Sequence, residues 1–243
     1  MIEIFFPLYT WLVYVPFLFS WTVICTVTVT SLTLFIPFFA GRWMPRMWAK
    51  PSYWASLSSL TVTGKDDIDT TRSYIIVANH VSQFDILLVY GWTPLDIKWV
   101  MKKEMRKVPF LGMACAAMGH IFIDRSDRGE ALRTLESFKA TMEPGTSVMF
   151  FPEGTRSDGK TLLPFKKGAF LMAKDLDLPI LPITILGTEN ILPNGSVKLT
   201  LGSSEIIYHP PIEIEQVRSM NVKELAIKSA QIIEQPMFEG AIA

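Results

Sequence analysis

His80 and Asp85 stand five positions apart, directly after the apolar run Tyr74-Ile75-Ile76-Val77-Ala78. On one continuous helix that spacing sends the two side chains to different faces. With His80 in a loop and Asp85 in the first turn of a helix begun at Ser82 or Gln83, the two can meet. A carboxylate then holds one ring nitrogen and leaves the other for a substrate, the orienting role an acid plays beside a catalytic histidine. No Ser or Cys sits in a G-x-S-x-G turn to serve as a nucleophile. The chemistry suggested is general-base activation of an acceptor hydroxyl, whose oxygen attacks a thioester carbonyl directly.

Two further polar segments follow apolar runs. Gly119-His120-Ile121-Phe122-Ile123-Asp124-Arg125 puts Arg125 just past a strand end, with His120 in a structural role. Phe151-Pro152-Glu153-Gly154-Thr155-Arg156-Ser157 runs a strand into a turn that presents Glu153, Thr155 and Arg156. A guanidinium can grip a phosphate through two parallel hydrogen bonds, and Glu153 can accept from a substrate hydroxyl. Between the first two motifs Lys98, Lys102, Lys103, Arg106 and Lys107 outnumber Asp96 and Glu104, a basic surface suited to a phosphate or an anionic membrane.

These side chains need a frame that collects strand ends. Residues 60–63, 74–78, 97–101, 121–123 and 147–151 read as strands, as do 180–186 and a closing pair at 197–201 and 205–208. Helical patterns fall at 85–92, 110–118, 165–175 and 222–233. Asp127-Arg128-Gly129-Glu130 has the form of a capping box opening another helix, with Leu132, Leu135, Phe138 and Met142 on one side. Pro182 inside its strand predicts an edge position or a bulge. Alternating strands and helices predict an α/β domain with a mostly parallel central sheet flanked by helices. In such sheets the ligand site lies beyond the carboxyl ends of the strands, where the polar motifs fall.

The first part of the chain is different. Between Glu3 and Arg42 lie about 38 uncharged residues, ~57 Å as one helix, against a hydrocarbon core of ~30 Å. The expectation is a two-helix hydrophobic membrane anchor over residues 1–41, bent at Pro16 or at Ser20-Trp21-Thr22, either crossing the bilayer or lying within one leaflet. Residues 42–243 then form the α/β domain. Arg42, Arg46 and Lys50 place that domain on the cytoplasmic side of the inner membrane by the positive-inside tendency. Apolar residues of the anchor and of 110–118 are candidates to line an acyl path. Lys plus Arg and Asp plus Glu number 23 each, so no basic field argues for nucleic acid. Cys25 and Cys115 form no disulfide framework, and no metal-ligand spacing is present.

Taken in order, Asn79 to Asp85, Gly119 to Arg125, Phe151 to Ser157 and Leu181 to Ile183 resemble the glycerolipid acyltransferase family, in particular its bacterial-type 1-acylglycerol-3-phosphate acyltransferases. Lys102-Lys103-Glu104 ahead of Val108-Pro109-Phe110 matches the family's lysine segment, and the resemblance covers roughly residues 58–205. It implies that His80 and Asp85 are the dyad. It implies that Arg156, with Lys103 and Arg125, binds an acceptor phosphate, and that Glu153 and Gly154 shape the acceptor site beside Thr155. The implied acceptor is lysophosphatidic acid, with another lysophospholipid as the alternative. The implied donor is acyl-CoA or acyl-carrier protein, and the product is phosphatidic acid. Membrane lipids are the remaining partners, and no cofactor or metal is implied.

Overall fold

The computed structural model describes residues 2–124, 127–159 and 161–239. Ile75–Ala78 (β2) shows how the sequence makes the frame. Its side chains alternate between two cores: Ile76 and Ala78 join one with Tyr53, Phe84 and Leu88, while Ile75 and Val77 join another with Phe170, Leu225 and Ile233. A strand apolar on both faces belongs inside a helix-covered parallel sheet. Around it lie Ser59–Thr63 (β1), Asp96–Lys102 (β3), Ile121–Ile123 (β4), Thr146–Phe150 (β5), Ile180–Leu186 (β6) and Ser203–Tyr208 (β7). The order is β1-β7-β6-β2-β5-β3-β4. All neighbouring pairs are parallel except β6 with β7.

The amino-terminal segment departs from the expected hairpin. Ile2–Tyr9 (α1), a π turn at Thr10–Tyr14 and Val15–Leu32 (α2) form one continuous rod through both expected bend points. A proline ring presses on the carbonyl four residues back, which for Pro16 is that of Leu12. The wider π turn lies there, and the Val15 N–H reaches the Thr10 carbonyl. The turn falls instead at residues 33–36. Pro37–Trp54 (α3) then returns along α2 and carries Arg42, Arg46 and Lys50. Among the described residues one helix, Phe5–Leu32, is long and apolar enough to cross a membrane.

Arg46 donates to the carbonyls of Thr93 and Leu95 at 3.0 and 3.2 Å. It thereby closes the carboxyl end of Phe84–Trp92 (α4), where a cation suits the helix dipole, and ties α3 to the α/β domain. Leu111–Ala117 (α5) packs on α2. Arg128–Thr141 (α6) follows β4, and Asp127 accepts from the Glu130 amide at 3.0 Å, as the capping pattern predicts. Gly168–Leu176 (α7) and Val222–Glu239 (α10) cover the second face. Two short helices, Thr188–Ile191 (α8) and Ile214–Ser219 (α9), carry no strong periodicity and were not expected.

Of two strand expectations, one resolves to its bulge alternative and one is overturned. Pro182 lies in β6, an interior strand between β2 and β7, not at an edge. Its carbonyl accepts from the His209 amide at 3.1 Å, and Ile180 bridges Ile212. Between those links β6 advances two residues and its partner three, so the bulge containing Pro210-Pro211 stands where proline offers no donor. Residues 197–201 form no strand. β1 already occupies the free edge of β7, and Thr200 bonds back to the carbonyls of Asn190 and Ile191.

Candidate active site

Four adjacent parallel strands, β2, β5, β3 and β4, bring His80, Glu153–Arg156, Lys103 and the segment leading to Arg125 to one end of the sheet. Arg125 itself lies outside the described residues.

His80 follows β2 by one residue. Its neighbour Asn79, fully buried, acts as a substitute strand: its side chain donates to the Ile185 carbonyl and accepts from the Ile185 amide, both at 2.8 Å. The chain can therefore leave the sheet without stranding those polar groups. Ser82 then starts the turn into α4, accepting from the Phe84 amide at 3.2 Å. That turn returns Asp85 to His80. Asp85 Oδ2 accepts from His80 Nδ1 at 2.7 Å and from the amides of Val81 and Ser82 at 2.8 and 2.9 Å. Oδ1 accepts from the Thr188 hydroxyl at 2.5 Å. Asp85 is 0% exposed, so these four donors stand in for water.

The third motif wraps His80 from the other side. Glu153 Oε1 accepts from the His80 amide at 2.7 Å, and Oε2 from the Leu163 amide at 2.9 Å. The Ser157 amide donates to the His80 carbonyl at 2.8 Å. Phe151 stacks on the imidazole with ring centroids 3.8 Å apart and planes 6° apart. Glu153 thus acts on the site through the histidine backbone; both carboxylate oxygens are committed to protein amides. Burial pushes its carboxyl above the usual range, opposed by the hydrogen bonds from Leu163 and His80. His80 keeps 16% of its side chain exposed, and among the described residues no protein group bonds Nε2. One nitrogen is fixed and the other faces outward.

The basic residues are held more loosely. Arg156 is half-buried and Thr155 exposed, and neither has a carboxylate partner among the described residues. Lys103 is engaged: its Nζ lies 2.6 Å from Glu130 and 3.7 Å from Asp124. A phosphate would have to compete with those carboxylates. Gly154 has φ +75°, and a Cβ there would lie 2.2 Å from Lys166 Nζ. Lys166, 13 positions beyond Glu153 in the chain, is therefore a further cation at this turn.

Sequence spacing alone did not reveal Thr188, which stands 103 residues from Asp85. Its only local signal is a hydroxyl one residue beyond a buried strand and a glycine. His120 is structural as expected: it is buried, its Nε2 lies 2.5 Å from Tyr90 Oη, and burial depresses its pKa to about 3. α2, α3 and α5 enclose an apolar cavity of about 50 Å³ lined in part by Cys25, Val29, Met44, Ala114 and Met118.

Residues 59–186 match the acyltransferase family model. The chain is 33% identical over 174 residues to the 1-acyl-sn-glycerol-3-phosphate acyltransferase of Escherichia coli, covering 71% of this chain and 70% of that protein. It is 32% identical to a Chlamydomonas reinhardtii protein of that name over 70% of this chain and 51% of the relative. A Brassica napus chloroplastic relative, BAT2, is 36% identical over 65% of this chain and 48% of its own length. The chain thus spans about half the length of several curated relatives it matches. The crystal structure of the 1-acyl-sn-glycerophosphate acyltransferase PlsC from Thermotoga maritima superposes with a TM-score of 0.82 at 25% identity, over 99% of this chain and 96% of that one. With the family model matched across more than half its residues and the fold shared along nearly its whole length, the chain belongs to the acyltransferase family.

Proposed function

We propose that this protein transfers a fatty acyl group from acyl-CoA or acyl-carrier protein to the sn-2 hydroxyl of 1-acylglycerol 3-phosphate, giving phosphatidic acid. The observation that carries the reading is the fixed His80 Nδ1–Asp85 Oδ2 contact, with the imidazole edge bearing Nε2 left to the substrate. Nε2 takes the proton of the acceptor hydroxyl as its oxygen bonds to the thioester carbonyl carbon. The C–S bond then breaks, and the proton held on Nε2 passes to the leaving thiolate. The acyl group moves once, from sulfur to oxygen, and no residue is acylated.

Asp85 keeps the proton of neutral His80 on Nδ1 and offsets the positive charge that forms on the ring. Arg156, with Lys103, Lys166 and Arg125, supplies cations for the acceptor phosphate. Thr155 and Gly154 shape the turn that carries Arg156. No cofactor or metal enters the scheme. In this reading the enzyme sits on the inner membrane with its α/β domain toward the cytoplasm, so that a lipid acceptor enters without leaving the bilayer; the apolar helix Phe5–Leu32 supports it. Names of relatives that act on 1-acyl-sn-glycerol 3-phosphate support the choice of acceptor.

The test is acyl transfer by purified protein in lipid micelles, with lysophosphatidate against monoacylglycerol and each donor in turn. Turnover confined to lysophosphatidate is expected. Equal turnover of both acceptors removes the phosphate-binding roles, and thioester loss without acylated product shows a hydrolase.

A further inference from the structure

Val108, Phe110 and Met113 expose 39, 40 and 58% of their surface within six residues. The backbone presents the middle one at a conformational cost. Phe110 has φ 62° and ψ −56°, and the Leu111 amide bonds the Pro109 carbonyl at 2.7 Å. This is a γ-turn of the hand that is rare and strained. Such strain persists only where surrounding structure enforces it. Here Gly112 lets the loop fold back, because a Cβ on it would lie 2.3 Å from the Arg106 carbonyl oxygen. A large apolar ring on a strained turn in water gains nothing for the fold.

Charge and neighbours indicate what the turn meets. Lys102, Arg106 and Lys107 are all exposed beside it. Lys102 reaches Glu104 only at 3.5 Å, and Arg106 and Lys107 have no carboxylate partner among the described residues. Apolar side chains ringed by cations suit an anionic bilayer surface. The buried side of α5 and its C-cap, through Ala114 and Met118, packs on Cys25 and Val29 of α2 and Met44 of α3, while Met113 stays outside. The loop follows β3 at the same end of the sheet as His80.

We propose that the Phe110 turn is a second membrane contact, made by the α/β domain itself with anionic lipid, which turns the mouth of the active site toward the bilayer. This inference rests on the reading of the α1–α2 rod as a membrane anchor. An acidic carrier protein would use the same cations, but it gives no reason for three exposed apolar side chains.

The test places an environment-sensitive fluorophore on Phe110→Cys in the full chain, reconstituted in phosphatidylglycerol–phosphatidylcholine vesicles. Labels on Trp11→Cys, on the exposed side of the rod, and on Ile227→Cys, in α10, serve as references. The Phe110 label is expected to be quenched by chain-brominated lipid and shielded from iodide, like the Trp11 label and unlike the Ile227 label. A Phe110 label open to iodide while the Trp11 label is in lipid overturns the proposal and leaves the anchor standing. Aqueous labels at both positions overturn the anchor reading and the proposal with it. A Phe110 label shielded only after carrier protein is added assigns the patch to the carrier, which also overturns it. Phe110→Gly relaxes the positive φ, so its thermal midpoint should be unchanged or higher. The ratio of its turnover on vesicles to its turnover in detergent micelles should fall several-fold below the wild-type ratio. An unchanged ratio contradicts the proposal.

Discussion

The two sides of the active site are built on opposite terms. On the base side, Asp85 is fully buried, four donors converge on its carboxylate, and His80 is clamped by both backbone groups and by the Phe151 ring. On the side proposed to hold the phosphate, Thr155 and Lys166 are exposed, and Lys103 is paired with carboxylates a ligand would displace. The contrast suits the work proposed for each side. A general base gains from geometry fixed before the substrate arrives. A charged headgroup is met by cations that stay hydrated until it binds, because an unpaired buried charge is costly.

The largest break in that comparison should come from Asp85→Asn. The amide turns a donor toward N–H groups that need an acceptor, and the imidazole loses its tautomer control. A fall in kcat of about 10²–10⁴ is expected, with acceptor KM nearly constant in steady-state assays. Glu153→Ala comes next. It leaves the His80 and Leu163 amides without their acceptor, each a loss of ~1–3 kcal/mol if the group stays buried. Turnover should drop by about 10- to 100-fold and the thermal midpoint should fall. Lost stability with full turnover would mean that His80 keeps its place without this clamp.

Arg156→Ala probes the loose side. Acceptor KM for lysophosphatidate should rise by about tenfold, the scale of one charge-assisted contact, with kcat and donor KM little changed. Thr188→Val removes the donor to Asp85 Oδ1 at nearly constant volume. A loss in kcat of about tenfold or less is expected, with Thr188→Ser restoring it.

His120 sharpens the comparison from outside the site. Its pKa is depressed to about 3 by burial. The unfolded chain therefore binds a proton as pH falls below ~6.5, while the folded chain stays neutral there, so stability is lost on acidification through that window. The contribution is about 2 kcal/mol between pH 7 and pH 5. Denaturant melts of wild type and His120→Gln should show a shallower acid slope in the variant, with little change in turnover at neutral pH.

Much of this was legible from local pattern. The run Tyr74–Ala78 identified a strand buried on both faces, and the abrupt polar residues after it located the site, because parallel sheets gather such ends. What sequence withheld are relations between distant segments. Thr188 meets Asp85 only because β6 lies beside β2. Glu153 looks like a residue offered to a ligand, yet both of its oxygens are taken by amides that no local pattern reveals. Lys103 is paired by a helix that begins after the next strand. The rod ran straight through Pro16 because a π turn relieved the clash, and a hydrophobic pattern carries no trace of that turn. Pro182 meets a bulge rather than an edge, and the extra residue lies on the facing segment at Pro210-Pro211, which local pattern at Pro182 does not reveal.

The most direct test is acyl transfer from a thioester to lysophosphatidate by His80→Ala, with folding verified by its thermal melt. A loss of at least about 10²-fold in kcat, with acceptor binding intact, is predicted. Turnover within a few-fold of wild type would contradict His80 as the base and with it the central claim.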